Sequence, residues 1–182
     1  VTRGAAALLG WAACAGGVDR PPEGIDPATG IDCALPAVDD DACPFEVLTC
    51  DQLVESTTRG ATDRFDRATW DDAICLDWLA SDGGDMQGPD RLYVLDVPPD
   101  TTASVTLTSP CARLDLRVVN TTTTCNTTPT ACSVGSGDLS LSRVSALIGG
   151  VSGRRYEIIV DGYEGDAGSF RLQTACSGPA PR

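Results

Sequence analysis

Histidine and lysine are both missing from the 182 residues, so all 13 cationic side chains are Arg. Without them there can be no Ser-His-Asp, Cys-His or Ser-Lys catalysis, no His-containing zinc site, no CxxCH haem attachment and no Schiff-base chemistry. No Cys-x-x-Cys occurs, which removes zinc-ribbon and thioredoxin-like readings. Aromatic side chains are scarce at 5%. No apolar run approaches the roughly 20 residues that a membrane-spanning helix needs. Positive charge is also short: 26 acidic residues give a net charge of −13, which argues against nucleic acid and anionic membrane surfaces as partners. Arg without Lys, beside many Ala and Gly, is read as codon bias of a GC-rich genome, with adaptation to high salt as the other reading.

What is present begins with an address. Residues 1–13 (VTRGAAALLGWAA) place one Arg before a short apolar stretch and two small residues before Cys14. That is the logic of a bacterial secretion signal, and it resembles a lipobox, in which the Cys thiol is acylated and becomes the mature N-terminus. Cys14 is therefore the expected lipidation site; plain secretion is the alternative. Setting it aside leaves eight cysteines, at 33, 43, 50, 75, 111, 125, 132 and 176, an even number that reads as the disulfide framework of an exported chain. The spacing predicts Cys33–Cys43 and Cys125–Cys132 as short loops. Cys50–Cys176 would meet if the first and last strands are antiparallel neighbours, leaving Cys75–Cys111; the alternative is Cys75–Cys176.

Residues 14–49 are rich in Gly, Pro and Asp with no lasting periodicity, and are expected to form an extended or disordered acidic linker. From 50 to 176 short alternating runs appear between turn residues, followed by a tail at 177–182. Strands are expected at 52–58, 91–97, 104–108, 112–119, around Leu139 and Leu141, at 155–160 and at 169–174. In the 112–119 run Leu114, Leu116 and Val118 point inward, and Arg113, Asp115 and Arg117 outward. Only 69–80 looks helical. Seven or so strands and no βα alternation predict an all-β, jelly-roll-like antiparallel sandwich.

Five stretches within 50–176 together resemble the bacterial pre-peptidase C-terminal domain: Thr57–Asp63 (TTRGATD), Gly88–Val94 (GPDRLYV), Ala112–Val118 (ARLDLRV), Arg155–Tyr163 (RYEIIVDGY) and Gly168–Leu172 (GSFRL). That resemblance implies a jelly-roll-like β-sandwich of the kind found beside secreted proteases and in many surface proteins. No protease domain accompanies it here. Related collagen-binding modules of secreted collagenases bind calcium, and the acidic, Gly-rich stretch 81–90 offers Asp82, Asp85 and Asp90 as candidate ligands, oxygen donors of the kind calcium prefers. Trp70, Trp78 and Tyr163 fall near loops and are candidate binding aromatics, whereas Tyr93 and Tyr156 sit on inward-reading strands. The expected function is that of a non-catalytic, lipid-anchored cell-surface protein whose sandwich binds an extracellular polysaccharide or protein. The alternatives are a structural subunit of an extracellular layer or fibre and a carboxylate-dependent hydrolase.

Overall fold

The computed structural model describes residues 24–38, 42–65, 87–120, 125, 132–134, 136–138, 143–150 and 154–178, with backbone alone at 132–134, 136–138, 143, 144, 149 and 150. Among the described residues there are ten strands: β1 (Glu46–Leu48), β2 (Leu53–Thr57), β3 (Arg91–Val97), β4 (Thr101–Thr108), β5 (Leu114–Asn120), β6 (Cys132–Val134), β7 (Ser136–Asp138), β8 (Arg143–Gly150), β9 (Arg154–Gly162) and β10 (Ser169–Ser177). They form two sheets, ordered β1-β3-β9-β5-β6 and β2-β10-β4-β8-β7. Every pairing is antiparallel except β1 with β3. The chain crosses to the other sheet between all consecutive strands but β5–β6 and β7–β8. Among the described residues there is no helix. The protein is thus an all-β sandwich, as the alternating runs predict.

Alternation explains the core. Leu114, Leu116 and Val118 of β5 join Tyr156, Ile158 and Val160 of β9 and Tyr93, Leu95 and Val97 of β3 on one face. Across the interface stand Val105 and Leu107 of β4, Ile148 of β8, and Phe170 and Leu172 of β10. Tyr93 is the hub: its ring meets Phe45 edge-on at 5.6 Å and Phe170 at 6.3 Å, geometries that suit the ring quadrupoles. Tyr93 and Tyr156 are core residues, as their strands imply.

Several expectations are corrected. Residues 24–38 and 42–49 do not hang free as a linker. Ile31 is fully buried, Arg59 donates to the carbonyls of Leu35 and Cys33 at 2.9 Å each, and Arg171 donates to Thr29 O. The segment 46–48 even supplies β1, in register with Tyr93, Val94 and Leu95. Poor periodicity hid this, because a strap is held by its backbone carbonyls and its cysteines instead of by an apolar stripe.

Those cysteines pair over long range: Cys33–Cys111, Cys43–Cys125 and Cys50–Cys176, separated by 78, 82 and 126 residues. Cys50–Cys176 is the predicted bond, and its reason holds, since β2 and β10 are antiparallel neighbours. Cys33–Cys43, Cys75–Cys111, Cys125–Cys132 and the alternative Cys75–Cys176 are excluded, because one partner in each is bonded elsewhere. Short spacing misled: each strap cysteine reaches the sandwich, not its neighbour in the chain. Cys14 and Cys75 lie outside the described residues, as does the side chain of Cys132. So do Leu139, Leu141 and the helix-like stretch 69–80.

Candidate functional site

The outer face of the first sheet carries an arrangement that alternation alone leaves exposed. Register places Asp115 of β5 opposite Asp161 of β9, and pairs Arg91 with Val160, which sets Asp90 opposite Asp161 from the other side. Residues directly opposite on adjacent strands share a face with Cβ atoms about 5 Å apart. Three carboxylates therefore form one row across three strands. All three are buried: Asp161 is 0% exposed, Asp90 5% and Asp115 8%. Asp115 does point outward from the inter-sheet core, as expected, but it is buried on that outer face, and Asp90 does not lie on an open acidic turn. The same face holds a second apolar cluster of Phe65, Leu92, Val94, Val119 and Ile159, with Cys43, Cys125 and Tyr163 against it. A sheet with apolar clusters on both sides has no solvated face here to accept charges.

Each acid is handled differently. Asp115 forms an ion pair with Arg117 and accepts the Leu116 N–H at 2.8 Å; burial still raises its pKa, with Arg117 opposing. Asp90 Oδ2 accepts the N–H groups of Arg64 and Phe65 at 2.6 and 2.8 Å, pinning the 61–65 segment onto β3. Burial nevertheless pushes Asp90 up to about 6, against the pull of those two donors. Asp161 has neither benefit. Neither of its oxygens meets a donor N–H or hydroxyl among the described residues. Burial first, then the charges of Asp90, Asp115 and Asp63, raise its pKa well above the carboxylate range. Glu157, four residues back on the same face, accepts the Cys125 N–H at 2.5 Å and is also raised by burial.

The row is closed at one end by backbone contact. The Gly88 N–H donates to Gly162 O at 2.9 Å, and a Cβ on Gly88 would stand 2.4 Å from Gly162 Cα. Gly88→Ala is expected to force the two strands apart and to cost roughly 1–3 kcal/mol, in line with other overpacked sites. A urea-midpoint shift with unchanged m-value checks it; a variant as stable as the parent would contradict the close approach.

The remaining sequence candidates are scattered. Tyr163 is half-buried with the Arg113 guanidinium 3.9 Å above its ring, so its face is already occupied. Trp70, Trp78, Asp82 and Asp85 lie outside the described residues. Among the described residues no group of three His, Cys, Asp or Glu side chains is placed to hold a metal ion. A cavity of about 10 Å³ beside Asp90, lined also by Phe45, Arg64, Arg91 and Leu92, has room for one water molecule and no substrate. Sequence reasoning missed the row itself. The only signal was that Asp-bearing stretches recur at the ends of three strands that turn out to be adjacent.

Fold and site together define a disulfide-braced β-sandwich with a buried acidic row. No family model matches the chain, and no curated protein matches it. Among solved structures it is similar to the pre-peptidase C-terminal domain of collagenase from Bacillus anthracis. The identity is 10% and the TM-score 0.40, with 74% of this chain and 99% of that one covered.

Proposed function

We propose that the chain is a non-catalytic, exported cell-surface module, lipid-anchored through Cys14, whose sandwich binds an extracellular polysaccharide or protein. The observation that carries this reading is the bracing: three disulfides closing loops of 78 to 126 residues belong to an oxidising compartment. Burial of the perturbed carboxylates weighs against the hydrolase reading, since a general acid must touch its substrate. Mass spectrometry of the native protein is expected to find diacylglycerol on Cys14 and, by parity of the exported cysteines, Cys75 joined to Cys132. Cys14→Ser is expected to move the protein from the membrane fraction to the soluble one. An unmodified Cys14 with unchanged fractionation overturns the anchor. Retention on immobilised chitin, cellulose, peptidoglycan or collagen tests binding. Hydrolysis of any of them, abolished by one acidic substitution that leaves folding intact, overturns the non-catalytic reading. Calcium is proposed as a ligand of Asp82 and Asp85, Asp90 being buried and already engaged by two N–H groups, and identical melts with calcium and with chelator remove it.

A further inference from the structure

We propose that Asp90 and Asp161 hold one proton between them, and that this shared proton is a pH-sensitive clasp fastening the 61–65 segment to the first sheet. Register sets Asp90 directly opposite Asp161 on one face of neighbouring strands, where Cβ atoms stand about 5 Å apart, and both side chains are buried. Two carboxylates cannot both be charged in such contact away from water, because each disfavours the other's ionisation and burial disfavours both. Asp161 is the proton's home. Above about pH 6 it is Asp90 that carries the charge, because two backbone N–H groups already point at Oδ2, while Asp161 receives none among the described residues. A protonated Asp161 donates to Asp90 Oδ1, and one O–H bond answers the need of both residues.

The charged surroundings favour the same assignment. From β5, Asp115 faces Asp161 with its charge offset by Arg117. From the 61–65 segment Asp63 adds a further negative charge, and Arg64 lies beside Asp90. From β9 itself Glu157 stands on the same face. Negative groups outnumber positive ones, so the clasp releases its proton only well above the pH at which an ordinary Asp ionises. At that point two anions repel, and Asp90 carries the 61–65 backbone away with it.

The sign of the pH dependence follows from proton counts. Below about pH 4 folded and unfolded chains both hold the proton, since an ordinary Asp titrates near 3.9. Above it the unfolded chain has lost a proton that the folded pair retains, so stability falls as pH rises until the pair itself ionises. One retained proton changes the unfolding equilibrium constant by about tenfold per pH unit. Asp115, Glu157 and, below about pH 6, a second proton on Asp90 contribute in the same direction and remain when Asp161 is altered.

Asp161→Asn is the test, because an amide N–H can donate to Asp90 without a titrating proton. Urea unfolding from pH 5 to 8 is expected to show the variant's constant changing by about tenfold less per pH unit than the parent's. Hydrogen exchange at the Phe65 N–H is expected to accelerate with pH in the parent beyond its intrinsic rate, and not in the variant. Equal slopes in parent and variant overturn the proposal. Should the variant fail to fold, infrared spectroscopy of the parent at pH 7 decides. A protonated-carboxyl C=O band that disappears at alkaline pH supports the clasp, and its absence overturns it.

Discussion

Replacing Cys50 and Cys176 together by Ser is expected to remove about 5 kcal/mol of stability, on the chain-entropy account of a closed loop this long. The bond ties a residue just ahead of β2 to the last strand, across 126 residues. Opening it releases almost the whole sandwich from one constraint in the unfolded state. The native face changes little. Five β2–β10 register pairs remain, and the Thr174 hydroxyl, donating to Thr49 O at 2.6 Å, still anchors the same turn. The loss therefore comes from the unfolded chain, not from broken contacts. Small and medium domains are stable by only about 5–15 kcal/mol, so the double variant sits near the edge of folding. Cys33–Cys111 and Cys43–Cys125 close loops of 78 and 82 residues, and each contributes about 4.5 kcal/mol on the same account. Full reduction is expected to unfold the protein outright. Urea midpoints of the oxidised parent and the double-Ser variant, with a dithiothreitol titration, measure this. A shift below about 1 kcal/mol would mean that the unfolded chain is compact for other reasons.

How much of this could be read in advance depends on which force holds each part. Strands β3, β5, β9 and β10 were legible because burial on a sandwich's inner face writes a period of two into the sequence. Strands β1, β6 and β7, of three residues each, carry too few positions to show a period. In β8 the alternation of Val144, Ala146 and Ile148 is present in the sequence but diluted by its Ser and Gly residues. The strap was illegible for a different reason. Its attachment is made by carbonyls of Cys33, Leu35 and Val38 accepting from Arg59 and Arg91, and carbonyls have no letter in a sequence. Disulfide pairing failed likewise, since only Cys50–Cys176 followed from strand adjacency. The acidic row needed register across three strands, and single-strand alternation assigns Asp115 and Asp161 to water. That face carries a second apolar cluster, with Phe65 packed among Leu92, Val94, Val119 and Ile159, and single-strand alternation does not reveal it.

Arg91 gives the second large expected effect. It opens β3 in a stretch where a cation reads as a surface residue, yet it is 2% exposed. Its Nε–H donates to Thr57 O at 3.0 Å, and an Nη2–H donates to Val38 O at 2.7 Å. The guanidinium also lies 4.6 Å above the centre of the Phe45 ring. One side chain thus joins the strap, the end of β2, the entry to β1 and the start of β3. A guanidinium suits this because its fork is planar, stacks on a ring and serves several acceptors at once. Arg91→Ala leaves two carbonyls without this donor and a cavity under Phe45, and is expected to cost roughly 3–5 kcal/mol. Arg91→Met fills much of the space but still loses both hydrogen bonds and the ring contact, so about 2–4 kcal/mol is expected. Arg91→Lys keeps the charge, gives up the fork and the stacking, and is expected to fall below both in cost. Denaturant unfolding of the three variants checks the order Lys, Met, Ala. Faster exchange of the Val38 N–H, which bonds to Arg59 O at 3.0 Å, locates the damage at the strap. If Arg91→Met matched the parent in stability and exchange, the strap would be held by Arg59, Arg171 and its disulfides without help from Arg91, and the buried cation would be a passenger in the fold.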